Sequence, residues 1–267
     1  MSDAPHRRRI IAVANQKGGV GKTTTVINLS AALAQSGENV LVVDLDPQGN
    51  ASTGLGIDRS NRSPGTYAVL GGRDCQNTVQ RTNIQNLSIL PADPELAGAE
   101  IELVSFPDRE YRLQHALAGL GTYSRVIIDC PPSLGLLTLN GLVAADAVIV
   151  PLQCEFFALE GLSHLAQTIE RVKTRLNPTI HIEGIVLTMF DRRNNLSELV
   201  AADARGFFGS RVYKTAIPRN VRVSEAPSYG IPVTKYDNRS PGALAYHRLA
   251  LEFLERERLI QPKAAAL

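Results

Sequence analysis

The string Lys17-Gly18-Gly19-Val20-Gly21-Lys22-Thr23 constrains this chain more than any other. Its closely spaced glycines let a backbone curl through conformations closed to other residues. An apolar run ends at Ala14 just before it, and a pattern with apolar residues three and four apart begins at Thr24 just after it. Strand, glycine loop and helix in that order turn the loop N–H groups and the positive end of the helix toward one point, a cradle for phosphate. In such a P-loop Lys22 neutralises the β- and γ-oxygens of a nucleotide, Thr23 supplies a hydroxyl to Mg²⁺, and Thr24 stands next in the cradle. The strict form has Gly at the position of Asn15 or Gln16. This chain departs from it and carries a second lysine, Lys17, at the head of the loop.

Short runs rich in Val, Ile and Leu recur at residues 10–15, 39–44, 87–90, 125–129, 147–151, 182–188 and 212–217. Between them, residues 22–36, 135–145, 159–176 and 197–208 have helical spacing. That alternation means βαβ units, and runs apolar on both faces belong to parallel strands covered on both sides. The expected fold is therefore α/β: a doubly wound, mostly parallel sheet with helices on both faces. Residues 58–86 are polar and turn-rich, with Ser63-Pro64-Gly65 and Gly71-Gly72, and read as an insertion. Candidate site residues lie on both sides of it, so one domain over 1–267 is expected, with 1–8 and 259–267 as frayed tails.

Charge sets a limit on partners. With 28 Lys+Arg against 26 Asp+Glu there is no global basic field, and any nucleic-acid contact must come from a local patch. Cys75, Cys130 and Cys154 lack the spacing of a disulfide framework or zinc site and read as buried thiols of a reducing cytosol. No apolar run approaches the roughly 20 residues that span a bilayer, and 10–14 is too short for a signal peptide. A cytoplasmic protein is expected.

The loop from Lys17 to Thr23 resembles the deviant P-loop of the superfamily that holds ParA, MinD and the nitrogenase iron protein. Asp46-Pro47-Gln48-Gly49-Asn50, Leu55-Gly56-Ile57 and the run 217–227 (Ile-Pro-Arg-Asn-Val-Arg-Val-Ser-Glu-Ala-Pro) narrow the resemblance to the chromosomal, Soj-like ParA branch, and it extends from residue 10 to about residue 255. It implies a Mg²⁺-dependent ATPase, weak until stimulated, in which Lys17 crosses to the partner's nucleotide so that ATP binding and homodimerisation are one event. The run 40–43 ends in Asp44 and Asp46, similar to the family's switch segment, and implies that Asp46 orients the lytic water while Asp44 joins the metal shell. The strand-like 126–129 followed by Cys130-Pro131-Pro132 has the Walker B pattern, and Asp129 would hold Mg²⁺ through water.

Family resemblance also implies an ATP-bound dimer that coats double-stranded DNA without sequence preference, is released by a ParB-type centromere-binding protein, and is found on the nucleoid. Phosphate contacts of that kind need arginines, and Arg192, Arg193, Arg219 and Arg222 meet the requirement, Arg193 and Arg222 foremost. By analogy Met189 and Pro218 flank the adenine. Two other readings compete. A MinD-like ATPase places a basic amphipathic helix on lipid, but residues 241–258 end in mixed Glu and Arg, as in a packing helix. An electron-transfer ATPase needs a second cysteine after Cys130 in a suitable loop, and none is there.

Overall fold

The computed structural model describes residues 8–121 and 123–260. Its strands are β1 (Arg9–Val13), β2 (Val40–Asp44), β3 (Gln80–Arg81), β4 (Leu87–Leu90), β5 (Arg125–Asp129), β6 (Ala147–Gln153) and β7 (His181–Thr188). They form one sheet in the order β3-β4-β2-β5-β1-β6-β7, parallel except for the short edge strand β3. The doubly wound sheet expected from the apolar runs is the one found. Ile10 and Ala12 pack on one face and Ile11 and Val13 on the other, the period-two alternation of a strand covered on both sides.

The helix Lys22–Gln35 is buried almost all round, which suits its position between the sheet and the helix Pro241–Ile260. Ala243, Tyr246, Leu249, Ala250 and Phe253 of the latter are buried in the same core cluster as Val26, Leu29 and Leu33 of the former. The last helix is thus a packing helix. Its far end is tied to the strand starts by ions: Glu257 meets Arg9 at 3.2 Å and Arg125 at 2.8 Å. Among the described residues, no helix is long and apolar enough to cross a membrane. Cys75, Cys130 and Cys154 are free and buried.

Two differences from the sequence reading have physical causes. Residues 212–217 do not form a strand, although they run beside β7: Val212 bridges to Ile185, and the Tyr213 and Ile217 amides donate to the Ile185 and Leu187 carbonyls at 2.9 and 2.8 Å. The Lys214 and Thr215 amides instead donate to the Glu252 carboxylate at 2.8 and 2.9 Å, and Pro218 has no N–H to offer. The segment 58–86 is more than a surface insertion, because it buries Val69, Leu70 and Cys75 and contributes β3 to the sheet edge. Residues 1–7 and 261–267 of the expected tails lie outside the described residues. Within them, Arg8 donates to the Leu120 carbonyl and Leu259 belongs to the last helix.

Candidate active site

Strand β1 lies between β5 and β6, and the loop leaving its carboxyl end is the glycine string. Crevices at strand ends of this kind are where open α/β sheets bind ligands. Gly19 and Gly21 take φ of 75° and 85°, a region that strains any residue with a Cβ. Gly18 and Gly19 face open space, and no side chain caps the amino end of the helix Lys22–Gln35. Its first amides are therefore available to an anion. Lys22 is 7% exposed and its Nζ donates to the Lys17 carbonyl at 3.1 Å, closing the loop on itself. Burial lowers the Lys22 pKa, and the negative charges of Asp129 and Asp46 oppose that shift.

Asp129 and Asp46 act on this buried lysine, and Asp44 stands beside both acids. Asp44 and Asp129 are register partners at the ends of β2 and β5, and both are fully buried. Asp44 accepts from the Ser52 amide at 2.8 Å and the Ser52 hydroxyl at 2.6 Å, yet burial, with repulsion from Asp46, pushes its pKa to about 6. Asp46 is 7% exposed and its Oδ1 accepts from the Gln48 amide at 3.0 Å. Among the described residues neither oxygen of Asp129 has a full hydrogen-bond partner. Burial first, then Asp44 and Asp46, raise its pKa well above the usual value; Thr23 and Lys22 offset this in part. A buried acid with free lone pairs beside a phosphate cradle fits a divalent cation. Among the described residues no group of three or more His, Cys, Asp or Glu converges on one ion position. That suits Mg²⁺, which keeps several waters and takes oxygens from phosphate.

Lys17 stands apart from this cluster. Its amide bonds Asn15 at 3.0 Å, and its exposed ammonium meets Glu155 of the same chain at 2.5 Å. Glu155 follows β6 and was not singled out from the sequence; its only signal was an acid at a strand end. Near Glu155, Phe156 and Phe157 are 77% and 66% exposed. On the other side of the loop, the Thr188 hydroxyl donates to the Val20 carbonyl at 2.8 Å, and Met189 lies against Gly21 with φ of 48°. Phe190 bridges to Pro218. Met189 and Pro218 thus sit on adjoining backbone beside the loop.

The arginines gather elsewhere. A cavity of 670 Å³ beside β7 is lined by Arg192, Arg193 and Arg219 together with Arg205, Lys214 and Arg248. Sequence reasoning missed the last three, which come from separate elements and meet only in the fold. Arg193 is bound to Asp191 at 3.0 Å, the one acid of this lining. Arg222 lies outside it and pairs with Glu225 at 2.9 Å and Asp237 at 3.5 Å. Arg192 and Arg219 have no ion pair among the described residues.

Fold and loop together define a P-loop NTPase, and comparison with known proteins narrows the class. A family described as an AAA domain matches residues 8–182. The chromosome partitioning protein ParA of Caulobacter vibrioides is 58% identical over 261 residues, covering 96% of this chain and 98% of the relative. The sporulation initiation inhibitor protein Soj of Bacillus subtilis is 52% identical over 246 residues, covering 91% of this chain and 97% of the relative. A solved structure of cobyrinic acid a,c-diamide synthase from Mycobacterium smegmatis, with bound ATP analog and magnesium, is similar at a TM-score of 0.82 and 42% identity, over 94% of this chain and 96% of that one. The chain belongs to the ParA/Soj family of chromosome-partitioning P-loop ATPases.

Proposed function

We propose that this protein is a single-domain partitioning ATPase that binds ATP and Mg²⁺ at the glycine loop, closes into a homodimer, and holds double-stranded DNA on its basic face until hydrolysis releases it. The observation that carries the chemistry is Asp129, a buried carboxylate with both oxygens unpartnered beside an uncapped helix end. Mg²⁺, when bound, would neutralise charge on the phosphates. Residues 18–24 hold the nucleotide, with Lys22 on the β- and γ-oxygens and Met189 and Pro218 against the base. Thr23, Asp44 and Asp129 would hold the metal. Of the two strand-end acids Asp129 has the free lone pairs, since Asp44 is engaged by Ser52. Asp46 orients the attacking water, and turnover stays slow until a ParB-type partner acts.

Lys17 carries dimerisation. An exposed ammonium at the mouth of the loop, held among the described residues by a half-exposed Glu155 alone, is free to exchange that partner for the nucleotide of a second copy. For DNA, Arg192, Arg219, Arg205, Lys214 and Arg248 supply phosphate contacts in one concavity, with Arg193 and Arg222 at hand once their acids release them. A nucleoid location follows from such binding. The relatives named for chromosome partitioning are closer in sequence than the diamide synthase, which favours this role over amide synthesis.

Co-sedimentation with duplex DNA in ATP, ADP or no nucleotide tests the reading. Pelleting with ATP alone, lost as salt rises, is expected. Pelleting with anionic liposomes and not with DNA would replace it by the MinD-like alternative.

A further inference from the structure

Arg62 lies in the polar segment 58–86, yet it is 4% exposed. Its guanidinium makes four hydrogen bonds, all into the segment that follows the switch acids. Nη1 donates to the Gly49 carbonyl at 3.1 Å, Nη2 to the Thr53 hydroxyl at 2.8 Å and to the Ile57 carbonyl at 2.9 Å, and Nε to the same carbonyl at 3.1 Å. No carboxylate lies within ion-pair distance of it among the described residues. Burial lowers the Arg62 pKa and Asp44 and Asp58 oppose that only from beyond ion-pair distance, so the guanidinium is costly to bury where an apolar side chain would not be. What an apolar residue cannot do is tie two backbone carbonyls and a hydroxyl from three separate points of the chain together.

The first of those points borders Asp46. Gly49 closes the turn, its amide donating to the Asp46 carbonyl at 2.9 Å, while the Gln48 amide donates to the Asp46 carboxylate. Gly49 also stands at the head of the short helix Asn50–Gly54 with φ of 63°, and a Cβ there would lie 2.4 Å from Arg62 Nη1. The same helix holds Ser52, which bonds Asp44. One planar fork therefore fixes the turn that carries Asp46 relative to the helix and loop that follow it.

We infer that Arg62 is a positioning residue for ATP hydrolysis, holding the turn 46–49 so that the Asp46 carboxylate points where it orients the attacking water. This rests on the assignment of Asp46 given above. A small misplacement of such a group costs up to roughly 100-fold in rate.

The test is a kinetic comparison of Arg62→Gln, Arg62→Lys, Asp46→Ala and the double variant Asp46→Ala/Arg62→Gln, with MgATP turnover and fluorescent-nucleotide affinity measured on each. Arg62→Gln should lower kcat by roughly 10- to 100-fold with KM nearly unchanged. Arg62→Lys should recover little, because one ammonium cannot span the three acceptors. The double variant should be no slower than Asp46→Ala alone. Unchanged kcat in Arg62→Gln, full rescue by Arg62→Lys, or a double variant slowed by the product of the two single effects would each overturn the inference. Normal turnover by Asp46→Ala would instead bring down the assignment beneath it, whatever the Arg62 variants do. If Arg62→Gln does not fold, Thr53→Ala removes one acceptor of the fork and should still lower kcat several-fold with affinity intact; an unchanged kcat there counts against the inference.

Discussion

The carboxyl ends of β2 and β5 bury three acids and one lysine, whereas the flank of β7 exposes arginines around a cavity with one acid. The two regions are opposite in charge, in burial and in how they are built. Asp44, Asp129 and Lys22 sit at or beyond strand ends whose register is set by the sheet, so their geometry is as rigid as the core. The basic lining is gathered from the segment after β7, the helix Asn195–Phe208, the irregular stretch near Lys214 and the last helix. Buried charge resists salt and is sensitive to single atoms; exposed charge is additive and screened. The first region suits chemistry and the second suits a reversible grip on a polyanion.

That contrast is broken most directly at Asp46. Asp46→Ala should bind ATP and dimerise yet lose about 100-fold or more in turnover, since only the water loses its orienting group. It would accumulate as a DNA-bound dimer. Phosphate release measured with DNA and a ParB-type partner checks this, and rapid turnover would move the role to Asp44 or elsewhere.

Next in size are the two lysines of the loop. Lys22→Ala should weaken nucleotide binding roughly 10- to 100-fold, the worth of one charge-assisted bond to phosphate. Lys17→Ala should leave monomer affinity within a few-fold and abolish ATP-dependent dimers, read by light scattering. Glu155→Gln should do the reverse of Lys17→Ala, favouring dimers at lower ATP, because the ammonium no longer has to leave an ion pair. If Lys17→Ala dimerises normally, the crossing lysine is not at work in this protein.

How much of this was legible follows the same contrast. The glycine string, the apolar runs and the strand-end acids are local patterns, and the fold put them together because sheet register aligns strand ends. Contacts that depend on distant partners were invisible. The stretch 212–217 reads as a strand, and it is Glu252 on the last helix that takes the Lys214 and Thr215 amides while Tyr213 and Ile217 keep theirs on β7. Arg205, Lys214 and Arg248 carry no signal in sequence because they stand far apart along the chain and meet only in the fold. Arg193 and Arg222, foremost by resemblance, are the two whose charge is already balanced by neighbours.

The basic face can be sharpened by salt. Each phosphate contact contributes about 0.9 to the slope of log affinity against log salt. Arg219→Ala, which removes a cation without an ion pair, should lower that slope by about 1 and weaken binding at every sequence alike. Arg193→Ala should do less, because Asp191 already offsets its charge. Asp191→Ala should strengthen binding by releasing Arg193. Equal losses from Arg219→Ala and Arg193→Ala, in gel shifts at several salt concentrations, would show that the ion pair does not matter to the grip.

The smallest effect tests whether the acidic cluster is strained without its ligands. Asp44, raised from 3.8 to about 6, binds its proton more tightly in the fold than in the unfolded chain. For an acid shifted in that direction stability is greatest below the unfolded pKa and falls as pH rises from about 4 through about 6, at a cost on the order of 1 to 3 kcal/mol once both states are ionised. Asp129 is shifted the same way by the same burial and by the same neighbours, so its charge destabilises the nucleotide-free fold at high pH. Asp129→Asn should therefore raise the melting temperature of the nucleotide-free protein at pH 8, while at pH 4, where both acids hold their protons, the variant and the unmodified chain should melt alike. With ATP and Mg²⁺ the order should reverse, because the cation stabilises the carboxylate and has little hold on the amide. Calorimetry at the two pH values, with and without ligands, reads all of these outcomes. A variant less stable than the unmodified chain at pH 8 without ligands would mean that Lys22 and Thr23 already balance Asp129, and the case for a cation at that carboxylate would lose its physical basis.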